Sequence, residues 1–150
     1  MKRFLLRTIL FLLPLALLLV GGEVVLRLQP NAAKAKDNAM RLTGNLIDTL
    51  ILGSSHAYYG LCPEIFGRNA YNAAQVSQTL KYDEFILNHY ALPRLRTVVL
   101  TMSDFSFYEE LEGTPTWYYA ARYRMYMGCD YHSLASAYAW EVAAFPVFTK

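Results

Sequence analysis

The sequence predicts an α/β domain with a parallel sheet, entered through an apolar amino-terminal segment. Three observations carry that expectation. Two short runs rich in β-branched residues, Ile47 to Leu52 and Thr97 to Met102, flank a stretch with helical spacing of its apolar residues. The first run stops abruptly at Gly53-Ser54-Ser55-His56, which places polar groups at a strand end, the usual position of a ligand or nucleophile in an open α/β fold. Ahead of both, residues 1–40 have a composition suited to a membrane and its border rather than to a core.

Lys2, Arg3 and Arg7 precede the uninterrupted apolar run Ile9 to Gly22, and a looser apolar stretch continues through Val24, Val25 and Leu28 with Glu23 and Arg27 as breaks. Basic residues before an apolar core mark export and hold the amino terminus in the cytoplasm. Leucine on all sides leaves no polar face, which argues against a core helix of a soluble protein. Residues 1–28 therefore read as a single-pass anchor of the cell membrane, the alternative being a signal segment cleaved near Val20-Gly21-Gly22. Ala33-Lys34-Ala35 also has the small-x-small shape but lies too far from the apolar run. Either way the domain is expected on the extracytoplasmic side, held there by the anchor or released as a secreted or periplasmic protein.

Residues 29–45, with Pro30, Asn31, several Ala and Lys, and Gly44, read as a tether or frayed helix that spaces the domain from the membrane. Residues 46–150 are expected to form one α/β domain. Ile47 to Leu52 is its first strand, and Ala70 to Ala74 a weak second one after the Gly67-Arg68-Asn69 turn. Ser77 is placed to cap a helix that runs to about Tyr90, offers Leu80, Ile86, Leu87 and Tyr90 to the sheet, and stops near Pro93. Thr97 to Met102 is the third strand, its content suited to burial on both faces. Strand-helix-strand order implies parallel strands joined by right-handed crossovers, and hence a flavodoxin-like, three-layer α/β/α arrangement.

Three strands leave an open sheet edge. The ending Trp140 to Lys150, rich in Ala and Phe and without a capping Gly, reads as an interruption, so the domain is expected to be incomplete and the chain a truncated product or fragment. The aromatic cluster before it includes Phe105, Phe107, Tyr108, Trp117 and Tyr118. A helix over Trp117 to Met127 would bring Tyr119, Tyr123 and Tyr126 to one face with Arg122 and Arg124 nearby. Such a face packs on the sheet or a partner, or alternatively stacks on sugar rings or bases.

The formal net charge of +2 conceals a split, because residues 1–40 carry +4 and the remainder −2. A mildly acidic domain without a basic run gives no electrostatic case for nucleic acid. Cys62 and Cys129 are the only cysteines. An exported domain permits a disulfide between them, and two unrelated thiols are the other reading. No Cys-x-x-Cys or His-Glu-x-x-His spacing occurs, and neither metal nor cofactor is expected.

A parallel sheet gathers three segments on one edge: Gly53 to His56, Asn72 to Thr79, and Thr101 to Asp104. Together they resemble the first half of an SGNH-type (GDSL-like) hydrolase, particularly the membrane-anchored relatives found with cell-surface polysaccharide synthesis and acylation. The resemblance covers about Leu46 to Phe107 and implies that Ser55 is the nucleophile, with Ser54 in place of the family's Asp. It puts Ser77 where a Gly lends its backbone N–H to the oxyanion hole, with Asn72 leading that block. It puts Ser103, before Asp104, where an Asn amide supports the same oxyanion, and a hydroxyl there donates one bond with shorter reach. Ser54, His56, Asn72 and Asp104 would border the substrate.

The family's Asp-x-x-His block has no counterpart, since Asp130-Tyr131-His132 is one residue short and follows the third strand too soon. His56 directly follows Ser55, and adjacent side chains diverge, which suits a pocket wall better than a base for Ser55. His89 falls near a helix carboxyl end, an ordinary place for an imidazole. A serine without a base is a poor nucleophile near neutral pH. Gly-Ser-Ser after a strand also serves as a tight turn and helix cap with no chemistry.

The resemblance implies an extracytoplasmic esterase or O-acyltransferase component acting on a surface polysaccharide. Its partners would be the membrane, a polysaccharide or acyl-ester substrate and a membrane-bound acyltransferase. Its base would come from sequence beyond this chain, and the protein would be inactive if the chain truly ends at Lys150. The competing expectation is a non-catalytic accessory module that holds glycan or a membrane partner. A third is a phosphate-binding domain using Ser54 and Ser55 at a helix amino terminus.

Overall fold

Three short strands, β1 (Thr49–Gly53), β2 (Ala70–Asn72) and β3 (Thr97–Thr101), form a parallel sheet in the order β2-β1-β3 in the computed structural model, which describes residues 2–129. Thr49 aligns with Ala70 on one side and with Thr97 on the other. All five residues of β1 are buried, as a central strand of β-branched and leucine side chains requires. The chain is thus α/β with a parallel three-stranded sheet, compatible with part of a flavodoxin-like fold.

Both faces of β1 are covered. Leu50 and Leu52 point to the larger core, built with Tyr82 and Ile86 of α4 (Leu80–His89) and with Ala33 and Met40 of α2 (Ala32–Thr43). Ala120 and Ala121 of α5 (Tyr118–Arg122) complete it. Ile51 points the other way, to a smaller cluster with Ala57 of α3 (Ser55–Gly60) and Ala74. α1 (Lys2–Leu28) stands outside this body with its leucines exposed, and the span Lys2–Val25 is long and apolar enough to cross a membrane.

Several expectations need correction. The stretch read as a tether or frayed helix is largely a helix, but a packed one, since α2 is capped by Asn31, whose side chain accepts from the Lys34 N–H, and buries Ala33, Asp37 and Met40. Asp37 accepts from the Tyr90 hydroxyl at 2.8 Å and pairs with Arg41 one turn on. The body therefore begins near Asn31 rather than at residue 46.

The helix expected from Ser77 starts at Leu80, because Ser77 has φ 59° and a left-handed residue cannot open a right-handed helix. The second strand ends at Asn72 rather than Ala74, where the Asn72 side chain ties the chain into a turn by accepting from the Ala74 N–H. β3 is not buried on both faces: at the edge of the sheet among the described residues, it leaves Val98 and Leu100 exposed, on the side where α4 covers β1 but not its neighbour.

The expected aromatic helix is split into α5 and a wider π turn over Tyr123–Met127, ended by Gly128 in the left-handed region. Tyr123 is buried, and Tyr119 and Tyr126 pack against the same core, so the cluster serves packing. Arg122 lies over the Tyr119 ring at 5.0 Å. Cys62 is exposed and Cys129 is buried, and no disulfide joins them. Asp130, His132 and the segment Trp140 to Lys150 lie outside the described residues.

Candidate functional site at the strand ends

Gly53 makes the turn that presents the serines. Its φ is +119°, a conformation that side chains rarely adopt, and a Cβ there would lie 2.6 Å from the Thr101 carbonyl oxygen. Only glycine lets β1 pass this close to the end of β3. The Gly53 N–H donates to Asp83 Oδ1 at 2.9 Å, and the same oxygen accepts from the Gln78 side chain, whose carbonyl in turn accepts from the Tyr123 hydroxyl. This buried chain links α4, the strand end and the π turn. Burial pushes the Asp83 carboxyl up, opposed by the bonds from Gln78 and Gly53. Burial, then the nearby Asp83 carboxylate, likewise raises Tyr123.

After the turn, Ser54 is extended and fully buried, and Ser55 opens α3 half-exposed. Ser54 takes the cap position without a side-chain cap bond, so its hydroxyl is not spent on the helix. His56 Nδ1 stands 3.4 Å from Ser54 Oγ and 3.4 Å from Ser103 Oγ. Whether that nitrogen donates to or accepts from these hydroxyls depends on the tautomer of the ring. The histidine therefore joins the ends of β1 and β3 and does not touch Ser55, as divergence of adjacent side chains anticipates. Among the described residues no hydrogen bond reaches Ser55 Oγ.

Ser103 is also half of a reciprocal cap, its N–H donating to Ser106 Oγ at 3.1 Å while its own hydroxyl receives the Ser106 backbone. Asp104 lies exposed at the same edge, accepting from the Phe105 N–H at 2.9 Å. Ser77, half-buried, is the one non-glycine residue among those described with positive φ, in the position where the resemblance puts a Gly. The three blocks do gather on one edge.

Asn72 is not free to meet a substrate. Its amide donates to the Ala57 and Leu61 carbonyls, both at 2.9 Å, so it clamps β2 to α3. Its side chain borders a hollow of about 460 Å³ shared with Tyr58, Tyr59, Cys62 and Glu64, beyond α3. A second cavity of about 390 Å³ is lined by Asp48, Asn69 and Pro93 to Arg96, at the opposite, amino-terminal edge. Ser55 lines neither. His89 faces Arg41 at 3.3 Å and stacks on Phe85, away from the serines.

Two contributors escaped the sequence reading. Asp83 was legible as a carboxylate on the apolar stripe of α4, between Leu80 and Ile86. Lys36 gave no signal, although its ammonium reaches the Ala74 carbonyl past the end of β2 and lies 4.6 Å over the Tyr58 ring. Burial lowers it to about 7. No group of three or more His, Cys, Asp or Glu side chains converges among the described residues.

Comparison with known protein families, curated proteins and solved structures finds no match to this chain.

Proposed function

We propose that this protein is a membrane-anchored, SGNH-like esterase or O-acyltransferase component acting on a surface polysaccharide, with Ser55 as its nucleophile. The observation that carries the proposal is the glycine-enforced turn that sets a half-exposed, unengaged Ser55 hydroxyl at the first position of α3, on the edge shared by Ser77 and Ser103. A serine with no structural hydrogen bond to break is available for chemistry.

In the proposed step Ser55 Oγ attacks the acyl carbonyl while its proton passes to a base from outside the described residues. The carbonyl oxygen gathers charge beside the Ser55 and Ser77 N–H groups, and the departing alcohol takes the proton back. The acyl-serine is then resolved by water or by a sugar hydroxyl. His56 holds Ser54 and Ser103 in place and borders the acceptor. The test is turnover of a model acetyl ester in vesicles by the protein expressed together with any sequence that follows Lys150, lost in Ser55→Ala. Turnover that survives that substitution overturns the assignment.

A second reading is favoured by the bonds that engage Asn72 and Ser103. In it the domain is a non-catalytic accessory module that holds glycan or a membrane partner at this edge. It expects saturable glycan binding with no ester turnover, and binding weakened by Ser55→Trp.

A further inference from the structure

The direction of α2 decides which end of the domain faces the membrane. Near its start, Lys36 bonds to the Ala74 carbonyl, two residues past the carboxyl end of β2. Farther along, Arg41 faces His89 at the end of α4. Gly44, just past the helix, lies against the Ala91 carbonyl. α4 runs from the carboxyl edge of the sheet back toward the start of β3, so α2 runs the same way. Its first turn is at the serine-bearing edge and its last turn is at the opposite one.

α1 and α2 are separated only by Gln29, Pro30 and Asn31. From Leu28 to Ala32 the chain spans at most roughly 14 Å, and the following turn to Lys36 adds roughly 6 Å. The strand-end edge therefore lies within about 20 Å of the end of α1, plus the length of one lysine side chain. A flexible tether of residues 29–45 would allow any orientation, but a docked helix with three connecting residues does not.

The same edge carries exposed apolar side chains. Met102 follows β3 directly at 50% exposure, and Phe107 and Tyr108 follow it at 59% and 87%. Aromatic side chains with a wet end are favoured at the headgroup level of a bilayer.

We infer that the Ser55-bearing edge faces the bilayer and rests on it through Met102, Phe107 and Tyr108, so that the site serves substrates held at the membrane surface rather than free polymer. This rests on the reading of α1 as a retained anchor and deepens the function proposed above. An acyl group or glycan carried on a lipid would meet Ser55 without leaving the interface.

The test needs no catalysis, so its outcome is separate from that of the ester assay. The full chain carrying Cys62→Ala is reconstituted in phosphatidylethanolamine and phosphatidylglycerol vesicles, with either Tyr108→Cys or Arg94→Cys labelled by an environment-sensitive dye. Arg94 is exposed at the far edge. A matching far-UV circular dichroism spectrum shows that each labelled chain is folded, and intact mass shows that α1 is present. The dye at 108 is expected to shift to the blue and to lose most of its emission to a headgroup-level nitroxide lipid, while the dye at 94 keeps its emission. Equal quenching at the two positions, stronger quenching at 94, or none at either overturns the inference. Quenching at 108 that appears only after a membrane protein is added overturns the lipid contact, and a chain lacking α1 overturns the anchoring.

Discussion

Replacing Gly53 by Ala tests the turn on which the site depends. The residue sits at φ +119°, where a side chain is strained whatever the space around it. A backbone held in such a region costs about 1–3 kcal/mol. The added Cβ would also meet the Thr101 carbonyl oxygen at 2.6 Å and the Thr101 nitrogen at 3.2 Å, backbone atoms of a paired strand that cannot swing aside. Overpacking of that kind adds about 1–3 kcal/mol. The two terms together give a loss of roughly 2–6 kcal/mol, a large share of the total stability of a small domain. Urea unfolding of the full chain in detergent, followed by near-ultraviolet circular dichroism, reads the change as a lower midpoint. Gly113→Ala is the control, since Gly113 is exposed and a Cβ there meets nothing within 4 Å. A Gly53→Ala midpoint equal to that of the control would refute the reasoning, because neither strain nor close approach would then exist.

Ser77→Gly removes a left-handed conformation from a residue with a Cβ and is expected to raise stability by about 1 kcal/mol in the same urea measurement. Tyr90→Phe leaves Asp37 without one of its donors and is expected to cost about 1–3 kcal/mol, and the same substitution made in an Asp37→Ala background is expected to cost less. For Lys36, burial lowers the ammonium from its ordinary 10.5 to about 7. Between those values the unfolded chain holds the proton and the folded one does not, so this residue makes stability rise with pH from about 7 toward 10.5 and contributes no slope below that window. Lys36→Met should flatten that rise in urea midpoints taken across the window, and an unchanged slope would remove Lys36 from its buried position.

Much of the strand-end site was legible in the sequence because it depends on local chemistry. A β-branched run ending at Gly-Ser-Ser specifies a buried strand and a sharp turn, and the strand-helix-strand order brings the later blocks to the same edge. What was not legible depends on contacts between distant residues. α2 lacks a strong apolar stripe, because two of its three buried residues are Ala33 and Asp37, and the latter is tolerable only once Tyr90 and Arg41 face it. Asn31 as its cap was the one local sign. Ser77 resembles a helix cap in one dimension, but its left-handed backbone ends the preceding turn instead. The composition of β3 suits burial on both faces, yet burial is decided by what lies beside a strand, and its outer neighbour is missing among the described residues. The engagement of Asn72 and Ser103 in structural bonds likewise follows from the folded arrangement and not from their spacing.

We propose Ser55, and not the serines beside it, as the nucleophile. Peptide mapping of the full chain in vesicles after exposure to a fluorophosphonate probe tests it most directly. One covalent adduct is expected, on the Ser55 hydroxyl, that disappears in Ser55→Ala and persists in Ser103→Ala. An adduct on Ser54 or Ser103 instead, or an unmodified Ser55 in a chain that turns over esters, would contradict it.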